Sequence, residues 1–539
     1  MIVDPGSIDR LFLTYDRLDT PGCVLGVIHE GQIVYQKGYG MADLERGIPL
    51  TPDSVFDIAS TGKQFAAFIV LALAQQGKLD LNASLRRYLP ELHPSCDPVS
   101  ITHLLHHTSG LRDYCSLMEL TDMPLQNYYP EGVIFDLIAR QRSLCFHPGD
   151  EFLYSNTGYF LFNRIVQRAS GRSLLELIRE WIFEPLGMEH STFNDDFSRI
   201  IPKRALAYST TDDEGFQTNV SFLGGFGDGP IMTTVGDLNL WDQNFYHNRL
   251  CDSEQKMIEQ LQTRGRLNDG EFISYACGLQ IGDYRGLKWV RHSGSWAGYC
   301  SQFMRFPELH FSVIVLANLA TVDATTLALS VADQCLVRDF HEPAVRAPQF
   351  IERALPSASQ EQLSGYYRCE RTGCLLALDF KAEALMLTLD GDLLELAATS
   401  PTRFRPKKDG YGELSLEIEE GTAASQPVVK VHWEGEKPEH YDRLSLVPKV
   451  SARKLYEYVG EYYSEELKMH CNLVIKDKTL VLRHGYAQST QLNYVAPDLF
   501  WGDQLDLQFE RNPQDEVVKF WLGASRLRGI AFIKLNSAR

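Results

Sequence analysis

The periodicity of apolar residues changes near position 350 of this 539-residue chain. Upstream of that point, helix-like and strand-like patterns are mixed. Downstream, helix patterns nearly vanish, and short runs of alternating apolar and polar residues recur about every 8–12 residues. Such a segment buries its apolar side chains by pairing many short antiparallel strands, as in barrels. Residues 341–360, which carry Pro343, Pro348 and Pro356, predict a linker between the two parts.

The C-terminal part contains a weak internal repeat. LSGYYRCE at 363–370 resembles VGEYYSEE at 459–466, and each copy opens a segment of about 90 residues. We therefore predict two small antiparallel β-barrel-like domains, at 361–450 and 451–539. A single larger β domain with a chance match is the alternative.

The N-terminal part is predicted to form one α+β domain over residues 1–340. Two apolar runs, Cys23–His29 and 32–38, flank Glu30-Gly31 and predict a hairpin. Apolar periodicity predicts further helices over 61–76, 131–141, 158–169, 174–182 and 325–340, and strands over 287–292, 302–306 and 311–318. The run FSVIVLAN at 311–318 is the most apolar and β-branched, so we expect a buried strand there. An antiparallel sheet flanked by helices fits these elements.

Charge and composition exclude several classes of function. The net charge of −18 argues against a nucleic-acid or anionic-membrane partner, because both need a basic surface. The longest apolar run, at 65–74, is about half of a membrane span. The 11 scattered cysteines form no C-x-x-C, and the N-terminus shows no signal peptide, so we expect a reduced, cytoplasmic protein.

The stretch FDIASTGKQF at 56–65 contains a candidate nucleophile. Ser60 and Lys63 are three residues apart, so on a helix they share a face. A serine hydroxyl needs a neighbouring base, and a desolvated lysine amine can serve as one. Backbone N–H groups at the start of a helix can also bind an oxyanion. The motif alone is weak, since about one or two matches are expected by chance in such a chain.

Two further motifs offer partners for this serine. YSN at 154–156 supplies a phenol and an amide, although a loop before a helix is the better explanation of this motif taken alone. HSG at 292–294 lies in a strand-like stretch. An edge strand there would pair with an extended substrate and place a backbone N–H beside an oxyanion.

The order and spacing of S-x-x-K, Y-x-N and H-x-G resemble those of the serine β-lactamase and penicillin-binding-protein superfamily. The likeness is to its class C, AmpC-like branch, which includes esterases and D-aminopeptidases. It covers the first 335 residues or so and extends to GKLDLN at 77–82, YLPEL at 88–92, ITHLLHHTSGL at 101–111, PLGM at 185–188 and GDGPIMTTVGDLNLW at 227–241. The predicted layout is similar to that of three-domain D-aminopeptidases, and to that of related peptidases with a lipocalin-like tail.

This resemblance implies a role for each matching residue. Ser60 would be the acylated nucleophile, and Lys63 and Tyr154 would share the proton transfers, with either as the base. Asn156 would hold the substrate carbonyl. The backbone N–H groups of Ser60 and Ser295 would form the oxyanion hole.

His292 would stand where many relatives have lysine. A histidine is mostly neutral at pH 7, so its pull on a substrate carboxylate is expected to be weaker than that of a lysine. This favours uncharged acyl groups over penicillins and D-Ala-D-Ala. Gly294, Tyr114 and Trp296 are expected near the pocket, where a structural role is equally open for Tyr114 and Trp296.

The resemblance implies a serine hydrolase that acts on a small molecule or short peptide, most plausibly a D-aminopeptidase or D-amino-acid amidase. A carboxylesterase, a weak β-lactamase or DD-peptidase, and a penicillin-binding or interaction protein with little turnover are the alternatives. A loop of the last domain reaches the active site in D-aminopeptidases, and RHGYAQST at 483–490 is either such a loop or an ordinary hairpin. No metal-ligand spacing occurs, so we expect no metal and no other cofactor. A homo-oligomer is left open.

Overall fold

The computed structural model of the chain describes residues 3–212, 215–223, 231–250, 255–342, 357–381, 384–389, 392–400, 402–407, 414–419, 427–433, 438–445, 450–485, 488–502, 504–524 and 526–535. The chain divides into two compact units. One consists of residues 1–114, 124–139 and 146–345, and the other of residues 115–123, 140–145 and 346–539. No helix among the described residues is long and apolar enough to span a membrane.

The strands of the N-terminal unit are β1 (Cys23–His29), β2 (Gln32–Tyr39), β3 (Met41–Asp43), β4 (Ile48–Pro49), β5 (Phe56–Asp57), β6 (Thr192–Phe193), β7 (Tyr208–Thr210), β8 (Phe216–Thr218), β9 (Ile231–Thr233), β10 (Gln280–Tyr284), β11 (Leu287–Trp296), β12 (Tyr299–Phe306) and β13 (Phe311–Ala317). Six of these described strands form one antiparallel sheet in the order β10-β11-β12-β13-β1-β2. The predicted hairpin is β1–β2. The predicted buried strand is β13, which pairs with β1 and β12 and has every side chain buried.

The α-helices are α1 (Pro5–Leu11), α2 (Lys63–Gln75), α3 (Leu85–Tyr88), α4 (Ile101–Leu105), α5 (Tyr114–Leu120), α6 (Glu131–Ala139), α7 (Asn156–Ser170), α8 (Leu174–Ile178), α9 (Glu184–Leu186), α10 (Val235–Asn244), α11 (Lys256–Leu261), α12 (Ala324–Cys335), α13 (Ser357–Leu363) and α14 (Ala452–Leu455). Helices lie on both faces of the sheet. Val313 and Val315 of β13 share a core cluster with Val331 of α12. Ser312, which points to the opposite face, bonds to Asp242 of α10. Burial on both faces explains why β13 reads as a continuous apolar run.

Two predicted helices differ from the observed ones in their turns. The helix predicted over 61–76 is a 3₁₀ turn, Ala59–Gly62, followed by α2. The helix predicted over 174–182 is α8 followed by a π-helical turn, Arg179–Phe183. In both places apolar spacing marks the buried face correctly, but it does not distinguish i+3, i+4 and i+5 hydrogen bonding.

The C-terminal unit contains two closed antiparallel barrels, each formed by eight described strands. The first is β14 (Gly365–Cys369), β15 (Leu375–Lys381), β16 (Ala384–Leu389), β17 (Asp392–Ala398), β18 (Arg403–Pro406), β19 (Leu414–Glu419), β20 (Val428–Trp433) and β21 (Glu439–Arg443). The second is β22 (Gly460–Ser464), β23 (Met469–Lys476), β24 (Thr479–His484), β25 (Gln488–Ala496), β26 (Leu499–Gly502), β27 (Leu505–Arg511), β28 (Val517–Ala524) and β29 (Leu527–Lys534). The predicted α+β fold with two barrels is confirmed. The boundaries at 340, 360 and 450 stay predictions.

The internal repeat marks the first strand of each barrel. The Tyr367 hydroxyl donates to the Leu363 carbonyl at 2.7 Å, and the Tyr462 hydroxyl donates to the Tyr458 carbonyl at 2.8 Å. These tyrosines are structural equivalents, so the alignment on the Tyr-Tyr pairs is one residue out of step. The shared pattern is Gly-x-Tyr, beginning at Gly365 in the first barrel.

Short segments from the first 145 residues belong to the C-terminal unit. The Arg142 N–H donates to the Glu466 carboxylate at 3.1 Å, and Arg140 Nε donates to the Glu466 carbonyl at 3.3 Å. A β-carbon placed on Gly485 would lie 3.1 Å from the Asp122 β-carbon. The stretch at 483–490 spans the end of β24 and the start of β25, which pair as a hairpin, and its residues 486–487 are outside the described part of the chain.

Candidate active site

Ser60 lies in a strained turn between β5 and α2. Ala59, the preceding residue, has a φ of +48°, a left-handed conformation that costs a non-glycine residue about 1–3 kcal/mol. Its N–H donates to Asp57 Oδ1 at 2.8 Å, which helps to hold the turn. Ala59 and Thr61 are buried, while Ser60 is partly exposed. The turn therefore presents the serine hydroxyl at an accessible position.

Strand β11 is fixed against this turn by short polar contacts. Thr61 Oγ1 lies 3.1 Å from the His292 carbonyl oxygen and 2.9 Å from Ser301 Oγ. The Ser301 hydroxyl donates to the Ile58 carbonyl at 2.8 Å. A β-carbon on Gly294 would lie 2.2 Å from the Ile58 oxygen, so only glycine lets the strand pass this close. The predicted H-x-G motif thus borders the serine turn.

Lys63 connects the serine to the Y-x-N motif. Its fully buried Nζ lies 2.9 Å from Ser60 Oγ and 3.0 Å from Asn156 Oδ1. The same nitrogen lies 5.2 Å from the ring centroid of Tyr154 and 5.6 Å from that of Tyr159. The Lys63–Ser60 distance is within the range that a general base needs to take a proton.

Asn156 owes its position to the start of α7. It is the first residue of that helix, and its N–H donates to Asp113 Oδ2 at 2.6 Å. The neighbouring Thr157 hydroxyl donates to the Arg112 carbonyl, also at 2.6 Å. A buried carboxylate at a helix N-terminus stabilises the orphan N–H groups there. Asp113 therefore positions Asn156.

Tyr154 lies in an aromatic cluster. Its ring centroid is 4.2 Å from that of His107 and 6.0 Å from that of Tyr275. His107 Nδ1 accepts the Ser155 N–H at 3.2 Å, so the same imidazole also fixes the backbone after Tyr154. We infer that this packing holds the phenol beside the lysine.

His292 is buried, and both of its ring nitrogens have partners. Nδ1 lies 2.6 Å from the Ser293 carbonyl oxygen, so Nδ1 donates, and Nε2 accepts the Tyr275 hydroxyl at 2.8 Å. Burial lowers the pKa of His292 to about 3, and the nearby Lys63 charge adds to this effect. The imidazole is therefore neutral at pH 7, as the sequence leads one to expect. This geometry holds Tyr275 in place, and a direct catalytic role for His292 stays a prediction.

The depressed pKa of His292 predicts a loss of stability in mild acid. The unfolded chain takes up a proton near pH 6.5, whereas the folded chain does so only near pH 3, so folding weakens as the pH falls between these values. The contribution of this one histidine is about 1.4 kcal/mol per pH unit. Urea unfolding of wild type and His292→Gln at pH 7 and pH 5 should show the shallower dependence in the variant. His147→Gln, at an exposed position, should retain the wild-type slope.

One edge of β11 is open beside the serine. Strand β10 pairs with β11 only from Leu287 to Arg291. Residues 292–296 pair with β12, and no strand in the described part of the chain flanks their other edge. Ser293 and Ser295 are exposed. An extended substrate can pair with such an edge, which is the pairing predicted for the strand that carries H-x-G.

Tyr114 and Trp296, both expected near the pocket, lie in different surroundings. Tyr114 is buried and packs on Phe160, with ring centroids 5.0 Å apart. Trp296 lines a small cavity of about 40 Å³ together with Asp57, Arg204 and Tyr299. Residues 224–230, which include the start of the family-like stretch at 227–241, lie outside the described residues.

The S-x-x-K and Y-x-N motifs thus meet in one hydrogen-bonded group, which the third motif borders. Thr61, Ser301 and Tyr275, which support this group, were not predicted from the sequence. Thr61 and Ser301 are 240 residues apart. No local pattern could have signalled that contact.

Comparisons with known proteins identify relatives of this chain. Penicillin-binding protein 4* of Bacillus subtilis (strain 168) is 30% identical over 407 residues, which are 72% of this chain and 87% of the relative. A D-aminopeptidase of Cereibacter sphaeroides (strain ATCC 17029 / ATH 2.4.9) is 26% identical over 508 residues, 93% of this chain and 91% of the relative. Other D-aminopeptidases are matched over only 56% of their own length.

The fold comparison gives the same result. The octameric penicillin-binding protein homologue from Pyrococcus abyssi has a TM-score of 0.57 at 24% identity, covering 82% of this chain and 100% of that one. The Beta-lactamase family matches residues 8–336. Because this match spans more than half of the chain, the protein belongs to the Beta-lactamase family.

Proposed function

We propose that the protein is a serine hydrolase that cleaves amide bonds through an acyl-enzyme on Ser60. The observation that carries the proposal is the contact of Lys63 Nζ with both Ser60 Oγ and Asn156 Oδ1 beside the open edge of β11. A nucleophile, a base within hydrogen-bond reach and a group that orients the base are the parts that covalent acyl transfer requires.

The roles follow from the positions of these groups. Ser60 Oγ attacks the carbonyl carbon, and its proton passes to Lys63 or Tyr154. The oxyanion forms between the backbone N–H groups of Ser60 and Ser295, and Asn156, whose Oδ1 contacts Lys63 Nζ, orients the base. The C–N bond then breaks, and the amine leaves with that proton. Water hydrolyses the ester and restores the Ser60 hydroxyl.

We propose substrates whose acyl part is an uncharged or amino-terminal D-residue. A neutral His292, held by Tyr275 and the Ser293 carbonyl, offers no cation to a substrate carboxylate. This disfavours penicillins and D-Ala-D-Ala, which carry that group. The names of the relatives, D-aminopeptidase among them, support the same substrate class.

A substrate panel tests this proposal. We expect the highest kcat/KM for D-Ala-p-nitroanilide, lower values for L-Ala-p-nitroanilide and N-acetyl-D-Ala-p-nitroanilide, and little turnover of nitrocefin. The acetylated compound is the matched control for the free amine. Hydrolysis of p-nitrophenyl acetate with all anilides at background would identify an esterase. Turnover of nitrocefin above that of the D-anilide would contradict the proposed preference.

The remaining expectations stay proposals. The cytoplasmic location is predicted from the sequence. The oligomeric state is left open by the sequence, and light scattering on the purified protein would measure it directly. The proposed partner is a small molecule or short peptide.

A further inference from the structure

A cavity of about 240 Å³ lies between the two barrels, inside the C-terminal unit. This volume is slightly below the usual range of about 300–1,000 Å³ for small-molecule sites, so the cavity suits a small ligand. The residues of its lining that bear charge, aromatic rings or sulfur are Arg368, Cys374, Trp501, Asp506, Trp521 and Arg528. The first two come from the first barrel and the others from the second.

The outer surface of the second barrel supplies one wall. Trp501 of β26, Asp506 of β27 and Gly523 of β28 are direct neighbours across three strands. The next residue, Leu507, is buried in the barrel, so Asp506 points outwards. A β-carbon on Gly523 would lie 2.4 Å from Asp506 Oδ1, so the glycine gives the carboxylate its room. Trp501 also packs edge-on against Tyr366 of the first barrel, with ring centroids 5.8 Å apart.

Asp506 is a shielded acid with no counter-ion in direct contact among the residues that the structure describes. Among the described residues its carboxylate has no side-chain hydrogen bond and no ion pair, and it keeps some accessible surface on the cavity. Burial raises its pKa to about 6, although the charges of Arg368 and Arg528 act in the opposite direction. A desolvated carboxylate that its own protein leaves unpaired is costly, and a cationic ligand group would offset that cost.

Arg368 presents the complementary charge. Among the described residues its guanidinium has no hydrogen bond or ion pair, and it lies close enough to Asp506 to affect that carboxyl electrostatically. The two groups thus interact without touching. A ligand that carries both a cation and a carboxylate would satisfy both groups at once.

The indole rings of Trp501 and Trp521 favour a ligand that has an apolar group. Trp501 is buried and Trp521 is partly exposed, and both border the same cavity. Indole rings give large apolar contacts and stack with other rings.

We propose that this cavity binds a free α-amino acid with an aromatic side chain. Its ammonium group pairs with Asp506, its carboxylate pairs with Arg368, and its ring packs against Trp501 and Trp521. This second site is separate from Ser60 and does not depend on the reaction proposed there.

Titration calorimetry on the full-length protein tests the proposal with D-phenylalanine, L-phenylalanine, 3-phenylpropionate and phenethylamine. We expect saturable binding of at least one phenylalanine enantiomer. The two analogues, which lack either the ammonium or the carboxylate group, should bind at least about ten-fold more weakly, because each leaves one protein charge unpaired.

Variants assign the binding to the cavity. Asp506→Asn and Arg368→Gln should each weaken binding about ten-fold or more. The matched controls are Glu419→Gln and Arg403→Gln, which should leave phenylalanine binding unchanged. Glu419 forms an ion pair with Lys430, and Arg403 lies near Glu417. Urea midpoints verify that all four variants fold. Three outcomes would overturn the proposal. Neither phenylalanine enantiomer binds at concentrations up to about 10 mM, the Asp506→Asn and Arg368→Gln variants bind as tightly as wild type, or an analogue with only one charged group binds as tightly as phenylalanine.

Discussion

Replacing Ser60 by alanine should abolish the covalent adduct with a fluorophosphonate and lower amide hydrolysis by about 10⁶-fold. Ser60 Oγ is the hydroxyl that lies 2.9 Å from the buried amine of Lys63, and its turn is held by Ala59 and Thr61. Removing the oxygen leaves no atom to carry the acyl group. Intact-protein mass spectrometry reports the adduct, and kcat for the best anilide reports the reaction.

Lys63→Met gives a graded contrast with Ser60→Ala. The serine remains, but it loses the amine that contacts it, so the adduct should still form at a rate lowered by about 10³-fold. Lys203→Met is the matched control. That lysine pairs with Asp53 on the surface at 2.7 Å, and its loss should leave the labelling rate unchanged.

Two outcomes would contradict this account of the site. A fluorophosphonate adduct on the Ser60→Ala protein would place the nucleophile elsewhere. Wild type that folds and forms no adduct would mean that Ser60 is not activated, which would favour an interaction protein with little turnover.

The residues of the reacting group could be predicted from the sequence, but the residues that hold this group in place could not. S-x-x-K and Y-x-N are short and weak signals when taken singly, and the resemblance of their order and spacing to a known family implied that Ser60, Lys63 and Asn156 would meet. Thr61 and Ser301, which fix β11 against the serine turn, could not be found in that way, because a contact between distant residues leaves no local pattern. The neutrality of His292 followed from the histidine side chain, but its two partners required the fold.

The same division holds for the fold. Period-two apolar residues predicted the barrels, because each strand must alternate between the barrel interior and its surface. The repeat was detected through its tyrosines but aligned one residue out of step, since sequence cannot tell which tyrosine of a pair turns inwards. The observed equivalence of Tyr367 and Tyr462 rests on their hydrogen bonds.

The buried ion pair between Asp242 and Arg305 should be the most sensitive charged site in the N-terminal unit. Arg305 Nε donates to Asp242 Oδ1 at 2.8 Å, and the side chains are 1% and 0% exposed. The Ser312 hydroxyl donates to the same carboxylate oxygen at 2.9 Å. The guanidinium lies between the rings of Phe245 and Phe303, each centroid 3.8 Å from Cζ. The pair therefore joins α10 to strands β12 and β13 in a setting without water.

This pair is also connected to the start of α2, which follows the serine turn. Arg305 Nη2 lies 3.4 Å from Gln64 Oε1, which accepts the Trp241 indole N–H at 2.7 Å. Gln64 Nε2 donates in turn to the Thr61 carbonyl at 2.8 Å. We therefore expect loss of this ion pair to alter the position of Ser60 through the hydrogen bonds of Gln64, the residue that follows Lys63.

Asp242→Asn should reduce the free energy of unfolding by about 3–5 kcal/mol, because it leaves the Arg305 cation buried without its counter-ion. The double variant Asp242→Leu/Arg305→Met removes both charges and should recover most of that loss. Asp53→Asn, at an exposed pair with Lys203, should cost at most about 1 kcal/mol. Fluorophosphonate labelling of Ser60 against urea concentration measures folding of this unit, with the rate in buffer as its reference. A double variant as unstable as Asp242→Asn would show that the lost hydrogen bonds, and not the unpaired charge, cause the destabilisation.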